Sequence, residues 1–263
     1  MSRLGNEIRR RVTIGRLAAR LLLPPVPVPL LPVRVMGLDF RNPLGLAAGF
    51  DRTGRLLALC AGVGFGFVDI GTILPDRADT VLARLLEADS GPCRISANIG
   101  SRRPGLGEDV RADYVASLRS LAPAADMVVA NLSCRRAARL RGAGPAALAP
   151  FLRGLGVARD RLAERLGRRL RLAVKLDMGA AAAGMAAEIA AAAGFDGVVA
   201  VGGDIGSLVT RIAPVPVIAV GGITDSAATV ERVRQGAALV AVYAAFIRHG
   251  AATPRRLLAG LSV

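Results

Sequence analysis

A chain of 263 residues with 52% hydrophobic content holds one large domain with a sizeable core and leaves little for a second. Aromatic residues make up only 3% and tryptophan is absent, so that core is built from Ala, Val, Leu and Ile. The formal charge of +15 fits an anionic membrane surface, phosphate-bearing ligands or the Arg-, Ala- and Gly-rich usage of a GC-rich genome; nucleic acid is disfavoured, because no aromatics interleave with the basic residues and no recognition motif appears.

Residues 1–35 form a basic extension ahead of a single domain at 36–263. A helix over 7–23 sets Ile8, Val12, Ala19 and Leu22 along one side, away from Arg9, Arg16 and Arg20. Such a helix either lies on a membrane, with residues 1–25 as a peripheral contact, or caps the bottom of the domain. The apolar run at 21–33 contains Pro24, Pro25, Pro27, Pro29 and Pro32, so it cannot span a bilayer as a helix. Arg16 and Arg20 interrupt any apolar segment after Arg9-Arg10-Arg11, which argues against a secretion signal. Residues 33–40, with Gly37, alternate apolar and other residues and predict a short hairpin.

Eight short apolar runs follow, at 44–48, 68–73, 94–99, 127–133, 172–177, 197–202, 215–222 and 238–243. Continuous apolar runs separated by helical stretches indicate parallel strands covered on both faces. Eight strand-plus-helix units in this length predict an α/β fold, a (β/α)8 TIM barrel, whose reactive groups sit at the carboxyl ends of the strands. The link after 73 has room for a helix at 80–88 but no long loop. The segment 135–171 is long and predicts a helix with Leu148, Phe151, Leu152, Leu155, Leu162 and Leu166 in the core. Residues 180–193 are nearly all alanine, with high helix propensity. Only twelve residues separate Gly202 from Val215, so the helix between them has one or two turns.

Cys60, Cys93 and Cys134 are far apart and odd in number, which excludes a disulfide framework and a paired-cysteine zinc site. The single histidine, His249, reads as a surface residue, and with only one, His-based triads and metal clusters are excluded. The chain reads as cytoplasmic, or peripheral on the inner face of the cell membrane. Asn131-Leu132-Ser133-Cys134 places a thiol where a buried strand runs into a loop, so Asn131 and Cys134 are where catalysis is expected.

A family resemblance enters here. Residues 42–51 (Asn-Pro-Leu-Gly-Leu-Ala-Ala-Gly-Phe-Asp) are similar to the opening barrel segment of dihydroorotate dehydrogenases, and most to the quinone-dependent, membrane-associated class. Gly64 to Val68 with Gly71-Thr72, Asn98-Ile99-Gly100, Asn131 to Cys134, Val174-Lys175, Val220 to Ile223, and Tyr243 before Ala244-Ala245-Phe246 continue the likeness in order across about residues 35–250. The resemblance implies an FMN-dependent oxidoreductase of pyrimidine biosynthesis, with a small-molecule substrate and quinone or another electron acceptor. It places Ala48, Gly49, Arg52 and Thr72 against the flavin, and Asn98, Asn131 and Lys175 on its ring and ribityl chain. It places Gly221, Gly222, Tyr243 and Ala244 at the phosphate, and Cys134 as the proton-abstracting base. Glycine admits close backbone approach, and oriented amides favour an anion. Lys175 is costly inside a barrel unless partnered; the partner is either the flavin or a carboxylate, Asp177 or Asp204.

The chain departs from the family on the substrate side. Arg135-Arg136 stand in place of Pro-Asn after the base and would bind a carboxylate or phosphate. The segment 75–92 lacks Gly-Phe-Asn-Asn, Val201-Gly202-Gly203-Asp204 replace an Asn-Thr pair, and Arg52 replaces a lysine. These departures imply a divergent paralogue acting on another small substrate. The alternative is a catalytically degenerate barrel serving as a binding or partner protein.

Overall fold

The structure, a computed structural model, describes residues 27–133 and 143–261. The helix expected at 7–23 and the residues Cys134, Arg135 and Arg136 lie outside the described residues.

Among the described residues the first elements form an antiparallel hairpin, β1 (Val33–Val35) and β2 (Leu38–Phe40). Its two-residue turn puts Met36 at φ 53° and Gly37 at φ 72°, the left-handed pair whose twist suits a tight hairpin. Eight parallel strands then close into a barrel: β3 (Leu44–Leu46), β4 (Phe67–Ile73), β5 (Arg94–Ile99), β6 (Met127–Asn131), β7 (Arg171–Asp177), β8 (Gly197–Val201), β9 (Val217–Val220) and β10 (Ala237–Val242). Neighbours in sequence are neighbours in space, and β10 pairs with β3 to seal the ring. This is the (β/α)8 barrel that the apolar runs predict. The run at 215–222 narrows to a four-residue strand, because Gly221 and Gly222 turn out of it at positive φ.

The helices pack outside through apolar stripes of helical period. They are α1 (Leu57–Gly62), α2 (Ala78–Glu87), α3 (Glu108–Leu121), α4 (Pro145–Leu166), α5 (Ala183–Ala192), α6 (Gly206–Ile212), α7 (Ser226–Arg234), α8 (Ala244–His249) and α9 (Thr253–Leu258). Helix α4 starts with Pro145 at its first turn and ends at Gly167 in the left-handed conformation, as helix ends favour. It buries Leu148, Phe151, Leu152, Leu155 and Leu162, while Leu166 is only half-buried. His249 ends α8 half-buried rather than fully at the surface.

The interior divides into two levels. At the amino end, Val35 and Phe40 of the hairpin pack on Phe67, Met127, Val129, Ala173 and Leu239, so the hairpin plugs the bottom. The Phe40 and Phe67 rings meet edge-on at 5.9 Å. Arg94 Nε locks the plug by donating to the Asp39 carbonyl at 2.9 Å. At the carboxyl end the filling changes: Asp69, Ser96, Asn98, Asn131 and Lys175 are buried polar groups. An apolar floor below a polar mouth leaves one end of the barrel for chemistry.

Candidate active site

Alternation along each strand aims Asp69 and Gly71 of β4, Ser96 and Asn98 of β5, Asn131 of β6 and Lys175 of β7 into the barrel. Parallel register aligns them, pairing Asp69 with Ser96, Gly71 with Asn98, and Asn131 with Lys175. Gly71 has φ 133°, and a Cβ there would collide with the Asn98 carbonyl. Only glycine lets the two strands keep that register.

One hydrogen-bonded network joins these side chains. Asp69 accepts from Ser96 Oγ at 2.8 Å and from Asn98 Nδ2 at 3.1 Å. Asn98 Oδ1 accepts from Thr72 Oγ1 at 3.1 Å and from Asn131 Nδ2 at 2.9 Å. Asn131 Nδ2 also donates to Thr72 Oγ1 at 3.0 Å, and its Oδ1 accepts from the Ser133 amide at 3.0 Å and hydroxyl at 2.8 Å. The Asn131 amide is therefore fully committed within the protein, while Asn98 keeps one N–H. Tyr114 of α3 donates to the Asn131 carbonyl at 2.6 Å and fixes the strand end from outside.

Lys175 Nζ lies 4.0 Å from Asp69 Oδ2, with both side chains buried. The carboxylate alternatives raised by the sequence, Asp177 and Asp204, are corrected: the counter-charge is Asp69, from three strands earlier. Burial pushes the Asp69 carboxyl above its ordinary range, and Lys175, then Ser96, Asn98 and the Ala48 amide, pull it back. Sequence reasoning missed Asp69. Its signal was a carboxylate in the middle of an otherwise apolar run, on the same face as Gly71.

The opposite wall is backbone. Gly49, Gly202, Gly221 and Gly222 all leave their strands at positive φ. Nothing would meet a Cβ at Gly202, while one at Gly49 would lie 3.7 Å from the Tyr243 ring. Arg232 of α7 clamps this side, donating to Gly203 O at 2.8 Å and Gly221 O at 3.4 Å. The first loop is ordered by buried Asp51, which accepts from the amides of Thr53, Gly54 and Leu56 at 3.0, 2.8 and 2.8 Å. Arg52 beside it is exposed, as are Tyr243 and Ala244, whereas Ala48 is half-buried. Cys60 and Cys93 are buried outside the barrel; burial raises both thiols, Cys93 to about 12. A thiol held neutral is inert as a nucleophile or base, so neither Cys60 nor Cys93 offers that role. Among the described residues, no group of three or more His, Cys, Asp or Glu could hold a metal, and no helix is long and apolar enough to cross a membrane.

Comparison with known proteins bears on this mouth. A dihydroorotate dehydrogenase (quinone) of Marinomonas sp. (strain MWYL1) is 30% identical over 280 residues, covering 83% of this chain and 81% of the relative. The chain belongs to the dihydroorotate dehydrogenase family. A protein of the same description from Anaeromyxobacter dehalogenans (strain 2CP-C) is 31% identical, covering 90% of this chain and 82% of its own length. Another, from Cellvibrio japonicus (strain Ueda107), is 30% identical over 95% of this chain and 89% of its own. Crystal structures of the Eimeria tenella dihydroorotate dehydrogenase, one with ferulenol and one ligand-free, both give a TM-score of 0.80 at 23% identity. Each covers 97% of this chain, with 90% and 94% of their own chains aligned. That likeness speaks for the fold. No protein-family model matches the chain.

Dihydroorotate dehydrogenases are flavin-dependent oxidoreductases, and the mouth suits a flavin. The polar wall, with Lys175 and Asn98, offers donors to a ring that gains electron density on reduction. The glycine wall leaves room that side chains would fill.

Proposed function

We propose that this protein is an FMN-dependent oxidoreductase of the dihydroorotate dehydrogenase type, with the flavin in the barrel mouth. The observation that carries the reading is Lys175. Its ammonium is buried yet 4.0 Å from its counter-charge, beyond hydrogen-bond reach. A buried ammonium held this way keeps donors for an acceptor in the mouth.

In this reading Lys175 and the remaining Asn98 N–H face the ring, while Asn131 and Thr72 hold Asn98 in place. Ala48, Gly49 and Arg52 line the ring from the first loop. Gly221, Gly222, Tyr243 and Ala244 meet the phosphate through backbone amides, with the Arg232 charge behind them. Bound FMN would supply a two-electron acceptor for hydride. Cys134 Sγ takes the accompanying proton from the substrate carbon, and Arg135 and Arg136 favour its thiolate.

The substrate in this reading is a small molecule other than dihydroorotate. Leu74 runs into a short turn at Pro75–Arg77 and then α2, and Asp204-Ile205 run straight into α6. Neither connection contains an Asn or Gln. Sites built to hydrogen-bond a substrate edge discriminate strongly, and lose that discrimination when the partners are missing. Arg135 and Arg136 instead suit a carboxylate or phosphate. A second reading, dihydroorotate oxidised with quinone as acceptor, is favoured by the names of the curated relatives. In either case residues 1–25 would hold the chain at the inner face of the membrane.

The test is spectroscopic. Purified chain incubated with FMN should keep a flavin spectrum through desalting. Dithionite should bleach it and dihydroorotate, mixed anaerobically, should not. Stoichiometric bleaching by dihydroorotate would select the second reading. A colourless protein without a thermal shift in excess FMN would sink the flavin assignment and leave a binding or partner barrel. Once a substrate is known, Cys134→Ser should slow turnover by about 10²–10⁴-fold with flavin still bound.

A further inference from the structure

Away from the barrel mouth, the loop after β3 and helix α2 enclose a second cavity. Its volume is about 340 Å³, and Thr53, Arg55, Arg77, Thr80, Val81 and Arg84 line it. That is the lower end of the small-molecule range, roughly 300–1,000 Å³. Three of the six are guanidinium groups. Val81 is buried and forms an apolar floor, and Thr53 and Thr80 bring hydroxyls to the wall.

The nearby carboxylates do not neutralise this charge. Asp51 is spent on the amides of its own loop. Asp76 pairs with Arg102 at 3.1 Å, and Asp79 accepts from Ser120 Oγ at 2.6 Å. Among the described residues, no carboxylate forms an ion pair with Arg55, Arg77 or Arg84. One of the three is already set: Arg84 is half-buried and its Nη1 donates to the Thr53 carbonyl at 3.0 Å. Arg55 and Arg77 are exposed at the rim. Three like charges around one hollow repel each other, and an anion placed among them relieves that repulsion.

We propose that this cavity binds the phosphate group of an anionic ligand. Arg84 is the fixed donor, Arg55 and Arg77 close from the rim, and the Thr80 hydroxyl completes the shell, while the Thr53 hydroxyl donates to Asp51 at 3.5 Å. The planar guanidinium fork matches pairs of phosphate oxygens. The site is independent of the flavin assignment, since it lies between a loop and an outer helix and shares no residue with the glycine wall. The phosphate can belong to a free metabolite or to a lipid headgroup; the recognition chemistry is the same.

Inorganic phosphate is titrated calorimetrically at low salt into the full chain, the Arg55→Gln/Arg77→Gln variant, Arg84→Gln and Gly222→Val. The same four proteins are co-sedimented with phosphatidylglycerol vesicles. Phosphate binding to the cavity should weaken about tenfold for each guanidinium removed and should survive in Gly222→Val, which removes only the phosphate position assigned to the flavin. The rim pair is exposed, so that variant keeps the test sound even if Arg84→Gln unfolds. A parallel loss of vesicle binding in the arginine variants would assign the phosphate to a lipid headgroup. Unchanged vesicle binding with weakened phosphate binding would assign it to a free small molecule. Equal phosphate and vesicle binding by the wild type and the arginine variants, or complete loss of phosphate binding in Gly222→Val alone, overturns the proposal.

Discussion

Asp69 and Lys175 face one another at 4.0 Å inside the barrel, although two strands, β5 and β6, separate the ones that carry them. The pair anchors a polar network that reaches Ser133 through Asn98 and Asn131. A connected network of this kind rigidifies a site, because each member fixes the next.

Lys175→Met should therefore cost about 3–5 kcal/mol at neutral pH, since it leaves a buried carboxylate without its counter-charge. The folded Asp69 carboxyl already titrates above the unfolded value of 3.8, owing to burial. Stability from that group is thus fully present below the unfolded value and lost as pH rises through the folded one. Without Lys175 the folded value climbs further, so the penalty should shrink on acidification. Thermal unfolding of both proteins from neutral to about pH 4 checks this. A penalty that does not change with pH would exclude Asp69 as its cause.

Gly222→Val should abolish flavin retention while sparing the fold. At φ 74° a branched side chain is strained, by about 1–2 kcal/mol. Its Cβ would also stand 3.3 Å from Arg232 Nη2. Flavin absorbance after desalting, with circular dichroism as the fold control, reads the outcome; a yellow variant would move the phosphate elsewhere.

Asp196→Ala should be strongly destabilising. Asp196 pairs with buried Arg159 at 2.5 Å, with Arg169 at 3.1 Å and Arg171 at 3.5 Å, and accepts from the Leu172 amide at 2.9 Å. Removing it takes from the buried Arg159 guanidinium one of its two carboxylate partners, leaving Asp160 at 2.6 Å and the Gly194 carbonyl at 2.9 Å, and should cost about 3 kcal/mol. Asp39→Ala breaks the exposed pair with Arg34 and should cost no more than about 1 kcal/mol. Urea midpoints rank the two; equal shifts would contradict the burial argument.

Deleting residues 1–25 should abolish most binding to anionic vesicles, because the segment is basic and partly amphipathic. Binding by the full chain should weaken as salt screens the charges. Equal co-sedimentation of the two proteins would remove the membrane role from this segment.

Much of the architecture was legible in the chain. Strands covered on both faces are apolar throughout, so the eight runs stood out, and the bounds of β5 and the short α6 followed from local pattern and length. Leu148, Phe151, Leu152, Leu155 and Leu162 were legible for the same reason, since helical period exposes the buried stripe. Leu166 and His249 were less so, because how far a helix end is covered depends on what packs there. The residues proposed as base and substrate contacts, Cys134, Arg135 and Arg136, rest on the resemblance and on their residue types.

By itself, then, the sequence determined the closed barrel, the hairpin ahead of it and the strand ends at which chemistry is placed, because short-range periodicity dictates which elements form. Only the tertiary structure decided which groups meet. Lys175 has carboxylates close by in sequence, yet barrel closure turns its side chain inward to Asp69. Asn131 has the donors to bind a ligand, yet its neighbours on β4 and β5 take them all. Arg55, Arg77 and Arg84 look like scattered surface charge until the first loop folds against α2. Pairings across a barrel depend on strand register and ring closure, and those are set by the packing of the whole chain rather than by any local segment of it.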